Sequence, residues 1–262
     1  MPYFNIDPII FQIGPITATW YGFAYMVGFL LGWYLLKKMV GKYSKTITLQ
    51  HCDDFIIWAM VGVILGGRIG FLLFYRPDFL HSFFKAIAVW EGGMSFHGGL
   101  MGVLVATFLF SNYHKIRFFH LTDFLAYITP IGLFFGRIAN YINGELYGRM
   151  TTMPWGTIFP TGGPFPRHPS QLYEAALEGV LLFLVLHFVH KRINAFKNEG
   201  MLSGFFLIFY SVFRIIIEYF REPDFNLGLF FSHWTMGQLL SIPMFLFGLY
   251  LLFSYSKKHV LK

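Results

Sequence analysis

Cysteine and charge are what this sequence has least of. Cys52 is the only cysteine, which excludes an internal disulfide and any CxxC metal or redox site. Charged residues make up 13% of the chain, where a soluble domain carries about a quarter. The opening stretch MPYFNIDPIIFQIGPI holds no Lys or Arg, so it lacks the basic region of a cleavable signal peptide and the amino terminus is expected to be retained. There is no internal repeat and no low-complexity linker, and one integral membrane domain, 1–262, is expected. The histidines form no convincing ligand constellation, and no metal or cofactor is implied. What is abundant is apolar: 56% of residues are hydrophobic and 34 are Phe, the composition of a bilayer protein. The net charge of +7 comes from short basic clusters between apolar runs. No aromatic-interleaved basic patch accompanies it, so topology explains it better than nucleic acid.

Windows apolar enough to cross roughly 30 Å of hydrocarbon fall at Thr17 to Leu36, Asp54 to Tyr75, Gly98 to Asn112, Leu121 to Ile142, Leu172 to His190, Met201 to Phe220 and Thr235 to Tyr255. The pattern predicts an all-α membrane protein of seven transmembrane helices, the third the shortest. Alternate connections hold Lys37, Lys38, Lys42, Lys45, Lys115, Arg117, Lys191, Arg192, Lys197, Lys257, Lys258 and Lys262; the opposite set holds only Arg76, Lys85, Arg149, Arg167 and Arg221. The positive-inside rule then puts the amino terminus outside and the carboxyl terminus in the cytoplasm. The outer segments are long, notably Asn143 to Gln171, and loops of that length are uncommon unless functional or disordered. In PDFLHSFFKAIAVW, Phe79, Phe83, Phe84, Ile87 and Trp90 recur at helical spacing, which predicts a helix lying in the interface. Small residues four apart, Gly28 with Gly32, Gly62 with Gly66 and Gly70, Gly98 with Gly102 and Gly132 with Gly136, predict close helix contacts.

Three arginines fall inside predicted spans, where each is costly unless paired or wetted. At 1.5 Å per residue, Arg68 lies about 21 Å, Arg137 about 24 Å and Arg214 about 20 Å from the cytoplasmic end of its helix, all in the outer half. His97 stands at the outer start of the third span and Tyr21 near the start of the first. Tyr210, Arg214, Glu218 and Arg221 are spaced by four, four and three, which keeps them on one face; Arg137 and Asn140 share another. Glu174 and Glu178, four apart on the fifth span, read as structural partners for those arginines. Guanidinium forks match phosphate oxygens in bidentate fashion, so an anionic phospholipid headgroup suits this set, and an imidazole beside it can take a proton near neutral pH.

The strings HGGLMG from His97, GRIANYINGELYGR from Gly136, RHPSQLYE from Arg167 and FREPD from Phe220 together resemble the bacterial prolipoprotein diacylglyceryl transferase family, over nearly the whole chain from WYG at Trp20. The resemblance implies an inner-membrane enzyme that moves the diacylglyceryl group of phosphatidylglycerol to the lipobox cysteine thiol of a signal-peptide-bearing prolipoprotein, releasing glycerol phosphate, with its site toward the periplasm. It implies His97, Arg137 and Arg214 as catalytic residues. It implies Arg137, Tyr21, Gly98, Asn140, Glu145, Gly148, Tyr210, Glu218 and Arg221 as phosphatidylglycerol-binding positions, with Arg68 and His168 as weaker ones. The nucleophile comes from the partner protein, so Cys52 is a bystander. A transporter of an anionic lipid or solute is the competing reading, against which stand the missing repeat and the position of the polar set away from the midplane. Ser95 and His97 are too close in sequence to form a serine nucleophile and its base on one helix face.

Overall fold

The computed structural model describes residues 7–14, 16–89, 92–223 and 234–260. An antiparallel hairpin opens the chain, strand β1 (Ile9–Ile13) pairing with β2 (Ile16–Thr19). The described chain is otherwise mostly helical, as expected; the hairpin is the departure from an all-α fold and moves the start of the first span to Trp20. The window from Thr17 takes in the last three residues of β2, because ITAT is as apolar as the helix that follows it; Gly14 at φ +58° turns the chain back between the strands. The first helix, α1 (Trp20–Tyr43), begins only where the Thr19 hydroxyl accepts from the Gly22 amide at 3.1 Å, satisfying one of the amides a helix start leaves unpaired.

Helix α2 (Leu49–Phe74) is capped by Thr48, whose side chain accepts from His51 N while His51 Nδ1 accepts from Thr48 N. The stretch read as one interfacial helix is two short pieces, a 3-10 turn at Pro77–His81 and helix α3 (Phe83–Ile87). They are separated at Ser82, whose extended backbone (φ −132°, ψ 110°) interrupts the helical ladder; Trp90 lies outside the described residues. Helices α4 (Phe96–Tyr113) and α5 (Phe118–Ile142) follow. Helix α6 (Ser170–Ile193) contains a π-helical stretch, Ala175–Leu181. Helices α7 (Met201–Glu218) and α8 (Met236–Val260) complete the chain.

Among the described residues six helices are long and apolar enough to cross a bilayer: α1, α2, α5, α6, α7 and the Met236–Ser254 part of α8. The protein is a multi-pass membrane protein. Outward faces are apolar, as with Ile57, Leu65, Ile69 and Leu73 on α2, the inverse of a soluble surface. Helix α4, at 18 residues, is not one of the six, because His97 at its start and Asn112 near its end dilute its hydropathy.

The chain divides into two compact units, Met1–Leu35 with Asp123–Lys262, and Leu36–Thr122. In the second, α2 and α4 pack backbone to backbone. A Cβ on Gly62 would lie 2.7 Å from the Gly102 carbonyl oxygen, and one on Gly70 would lie 2.8 Å from Gly98 Cα. Such proximity requires glycine on both helices, as the four-residue spacing predicted. Gly62→Val is expected to destabilise the protein by about 1–3 kcal/mol through overpacking, read as a lower thermal midpoint in a fixed detergent; an unchanged midpoint would mean the two helices part at no cost.

In the first unit Asp123 of α5, fully buried, accepts from the Gly200 amide at 2.7 Å and from the Ser203 amide and hydroxyl at 2.8 Å. Gly200 stands at the N-cap of α7 with no side chain to cap it, so a carboxylate from a neighbouring helix does so, where the helix dipole favours negative charge.

Candidate functional site

The first unit gathers charges from α5, α6 and α7 around Glu174, whose side chain is completely buried. Glu174 Oε2 pairs with Arg137 Nε, and its Oε1 lies 3.1 Å from Arg221 Nη1 and 3.4 Å from Arg214 Nη1. One turn further, Glu178 sits 3.7 Å from Arg214 and 3.9 Å from Arg137, while Arg214 Nη2 reaches Glu218 Oε1 at 2.5 Å on its own helix. Three guanidiniums face three carboxylates, an arrangement that lets ionised groups persist away from water. The Glu178 oxygens and Arg214 Nη1 are buried without a hydrogen-bond partner among the described residues. Glu178 belongs to the π-helical stretch; such segments are rare and concentrate at functional sites. The helix approaches α5 closely there, for a Cβ on Gly179 would lie 2.7 Å from Phe134 Cβ. On α8, a Cβ at Gly237 would lie 3.1 Å from Arg214 Nε, so only glycine leaves room for the Arg214–Glu218 pair.

A second layer hangs on the end of α5. Asn140 donates to Glu145 Oε1 at 2.8 Å and accepts from Arg137 Nη1 at 3.4 Å. The turn that carries Glu145 has Gly144 at φ +65° and Leu146 at φ +58°, the latter uncommon for a residue with a side chain. It is held from α6, where Gln171 Nε2 donates to the Glu145 carbonyl at 2.6 Å and Ser170 Oγ to the Leu146 carbonyl at 3.1 Å. Gly148 donates to the His168 carbonyl at 2.8 Å and bridges to Arg221, and a Cβ there would lie 2.7 Å from His168 Cβ. The glycine is required by this close approach. Arg149, one of the few basic residues on the outer side of the predicted topology, donates through Nε to the Arg221 carbonyl at 3.0 Å. The long loop is thereby stitched to the chain beyond α7. Tyr21 shares a hydrogen bond of 3.1 Å with Tyr25, whose hydroxyl oxygen would lie 3.9 Å from a Cβ on Gly136, beside Arg137. Tyr210, one turn before Arg214, stacks on Phe206 with ring centroids 5.7 Å apart.

Residues 8–254 match the family described as prolipoprotein diacylglyceryl transferase. Similar proteins named phosphatidylglycerol--prolipoprotein diacylglyceryl transferase include one from Rickettsia felis, 51% identical over 253 residues that cover 96% of this chain and 98% of the relative. Another, from Rickettsia akari, is 50% identical over 96% of this chain and 98% of the relative, and a third, from Allorhizobium ampelinum, is 49% identical over 95% and 90%. The chain belongs to the prolipoprotein diacylglyceryl transferase family. The family resemblance read from the four sequence strings is therefore borne out.

Of the positions the diacylglyceryl transferase resemblance implied, the structure brings Arg137, Asn140, Glu145, Gly148, Arg214, Glu218 and Arg221 into one network. Sequence reading had set Glu174 and Glu178 aside as pairing partners; they do pair, and they are the hub. Gln171 and Gly237 were missed: Gln171 lies within RHPSQLYE, but its partner, the Glu145 carbonyl, is 26 residues away, and nothing beside Gly237 in the sequence marks it. His97 and Gly98 belong to the other unit, on the first turn of α4. His97 is exposed and lies on the rim of an apolar groove of about 860 Å³ formed by α2 and α4; Gly98 donates to Ser95 Oγ at 3.2 Å. Arg68, also there, is buried against backbone carbonyls.

His168, just before α6, stands 3.1 Å from the Tyr173 hydroxyl, and burial holds its imidazole below the usual histidine range. The unfolded chain therefore binds the proton first, so this contribution is complete above about pH 6.5 and is lost as pH falls from there through the folded value. The stability lost between pH 7.5 and 5.5 is expected to shrink in His168→Gln, measured by denaturant unfolding in detergent. An equal loss in both proteins would remove His168 as the cause.

Proposed function

We propose that this chain transfers the diacylglyceryl group of phosphatidylglycerol to the cysteine thiol of a prolipoprotein lipobox. The observation that carries the reading is the meeting of Arg137, Arg214 and Arg221 at Glu174, in a chain of the family whose relatives carry that activity in their names. Guanidinium groups held rigidly in a dry setting stabilise charge gathering on a phosphate without reorganising during the reaction.

The thiol sulfur attacks the glycerol carbon esterified to phosphate, the carbon–oxygen bond breaks with its electron pair leaving on the phosphate oxygen, and a thioether forms as glycerol phosphate departs. A cysteine thiol of pKa about 8.5 is mostly protonated near neutrality, so a base is needed, and His97 is assigned that role. Arg137 and Arg214 are assigned to the phosphate; Arg214 Nη1 has hydrogen-bonding capacity to offer. Tyr21, Gly98, Asn140, Glu145, Gly148, Tyr210, Glu218 and Arg221 are assigned to shaping the phosphatidylglycerol site. Helix α4, about 27 Å long at 1.5 Å per residue, is proposed as a seventh crossing. The basic-residue asymmetry then supports an amino terminus outside, a cytoplasmic carboxyl terminus, residence in the inner membrane as one integral domain, and a periplasmic site.

The test is mass spectrometry of a lipobox peptide incubated with purified protein and phosphatidylglycerol. The expected result is a peptide heavier by one diacylglyceryl group on sulfur and release of glycerol phosphate. Unmodified peptide with the lipid consumed or untouched would overturn the reading, as would near-normal transfer by His97→Gln for the assigned base.

A further inference from the structure

Arg68 was read from sequence beside the phosphate-binding arginines, yet its guanidinium is already occupied. Nε donates to the Ala86 carbonyl at 2.9 Å, Nη1 to the Gly92 and Gly93 carbonyls at 2.7 and 3.1 Å, and Nη2 to the Lys85 carbonyl. A guanidinium has five N–H groups in a fixed fork; these four contacts leave little for a ligand. They also join two stretches of chain, Lys85–Ala86 and Gly92–Gly93, to the last two turns of α2.

The second stretch leads directly into α4. Gly93, at φ +80°, lies against the Phe71 ring, where a Cβ would stand 2.6 Å from ring carbons, and the Arg68 guanidinium itself lies 5.4 Å from the same ring centroid. Ser95 donates its amide to the Gly67 carbonyl at 2.9 Å and, as the N-cap of α4, accepts from Gly98 N through its hydroxyl. One turn of α2, residues 67 to 71, thus fixes the approach to the helix whose second residue is His97.

We propose that Arg68 is a positioning residue for His97: it clamps the backbone ahead of α4 so that the first turn holds the imidazole in one place. This rests on the role assigned to His97 above. Lysine cannot substitute fully, because a single ammonium does not span acceptors on two segments in the plane of a fork.

The test uses the full-length protein in detergent with phosphatidylglycerol and a lipobox peptide. Arg68→Lys, Arg68→Gln and Gly93→Ala are each compared with the parent after correction for folded fraction; Gly93→Ala disturbs the same segment without removing charge. The expected result is a kcat lowered about 10-fold or more, as small misplacements of reacting groups produce, with KM for the lipid nearly unchanged and Arg68→Lys better than Arg68→Gln. Amide exchange of residues 92–99 should quicken while that of residues 210–218 does not. A raised KM with unchanged kcat would make Arg68 a lipid ligand and overturn the proposal, as would unchanged kcat in all three variants. His97→Gln in the same assay separates the two levels. If it retains normal turnover, the role of His97 fails; if it is inactive while the Arg68 and Gly93 variants keep normal kcat, only the clamp fails.

Discussion

Glu174→Leu is expected to destabilise the protein by about 3–5 kcal/mol, the range seen when one partner of a buried ionic set is removed. Glu174 is fully buried and neutralises guanidiniums from Arg137, Arg214 and the segment after α7 at once. Without it the three guanidiniums lose the carboxylate they share, and Glu178 stands no closer than 3.7 Å to Arg214 and 3.9 Å to Arg137. Glu174→Gln keeps the shape and one acceptor oxygen but not the charge, and should recover only part of the loss. The contrast is Glu222→Gln, whose partner Arg167 meets it at an exposed position, where an ion pair contributes about 0–1 kcal/mol. Thermal unfolding of the three variants in one detergent decides the matter. A Glu174→Leu protein that melts with the parent would show that the arginines are neutralised by other means.

Arg137→Ala is expected to lower kcat for transfer by about 10²–10³, the loss typical when one preorganised donor to developing negative charge is removed. Arg137 connects both layers of the site, pairing with Glu174 on one side and donating to Asn140 on the other, so its fork has one orientation. Arg137→Lys keeps the positive charge but loses the planar fork, and should recover little of the rate. Because both variants also unbalance Glu174 and Glu178, rates are taken per folded molecule at saturating lipid. Near-normal turnover by Arg137→Lys would mean that charge alone suffices and that the fork geometry is irrelevant.

Much of this site was legible along single helices. Arg214 and Glu218, four apart on α7, do pair; Arg137 and Asn140, three apart on α5, do touch. Arg221 reaches Glu174 as the spacing suggested, although α7 has ended at Glu218 and Arg221 is held instead by a backbone bridge to Gly148. Arg68, given by the resemblance only as one of the weaker positions, had its partners hidden for the complementary reason. Its depth along α2 was readable, but the carbonyls that occupy it come from residues 17 to 25 positions away. The hairpin and the break at Ser82 were hidden because apolar strands and short helical pieces carry the same hydropathy as the helices beside them.

Composition alone made this a membrane chain, apolar runs gave the six helices long and apolar enough to cross a bilayer, and residue spacing gave the polar faces carrying Arg137 and Arg214, because these properties repeat within one segment. Only tertiary structure made Glu174 the common partner of three arginines, tied the Glu145 turn to Gln171, and turned Arg68 into a clamp on the approach to α4. Those outcomes depend on which segment lies beside which, and a side chain reports its own helix face, not the neighbour that will meet it.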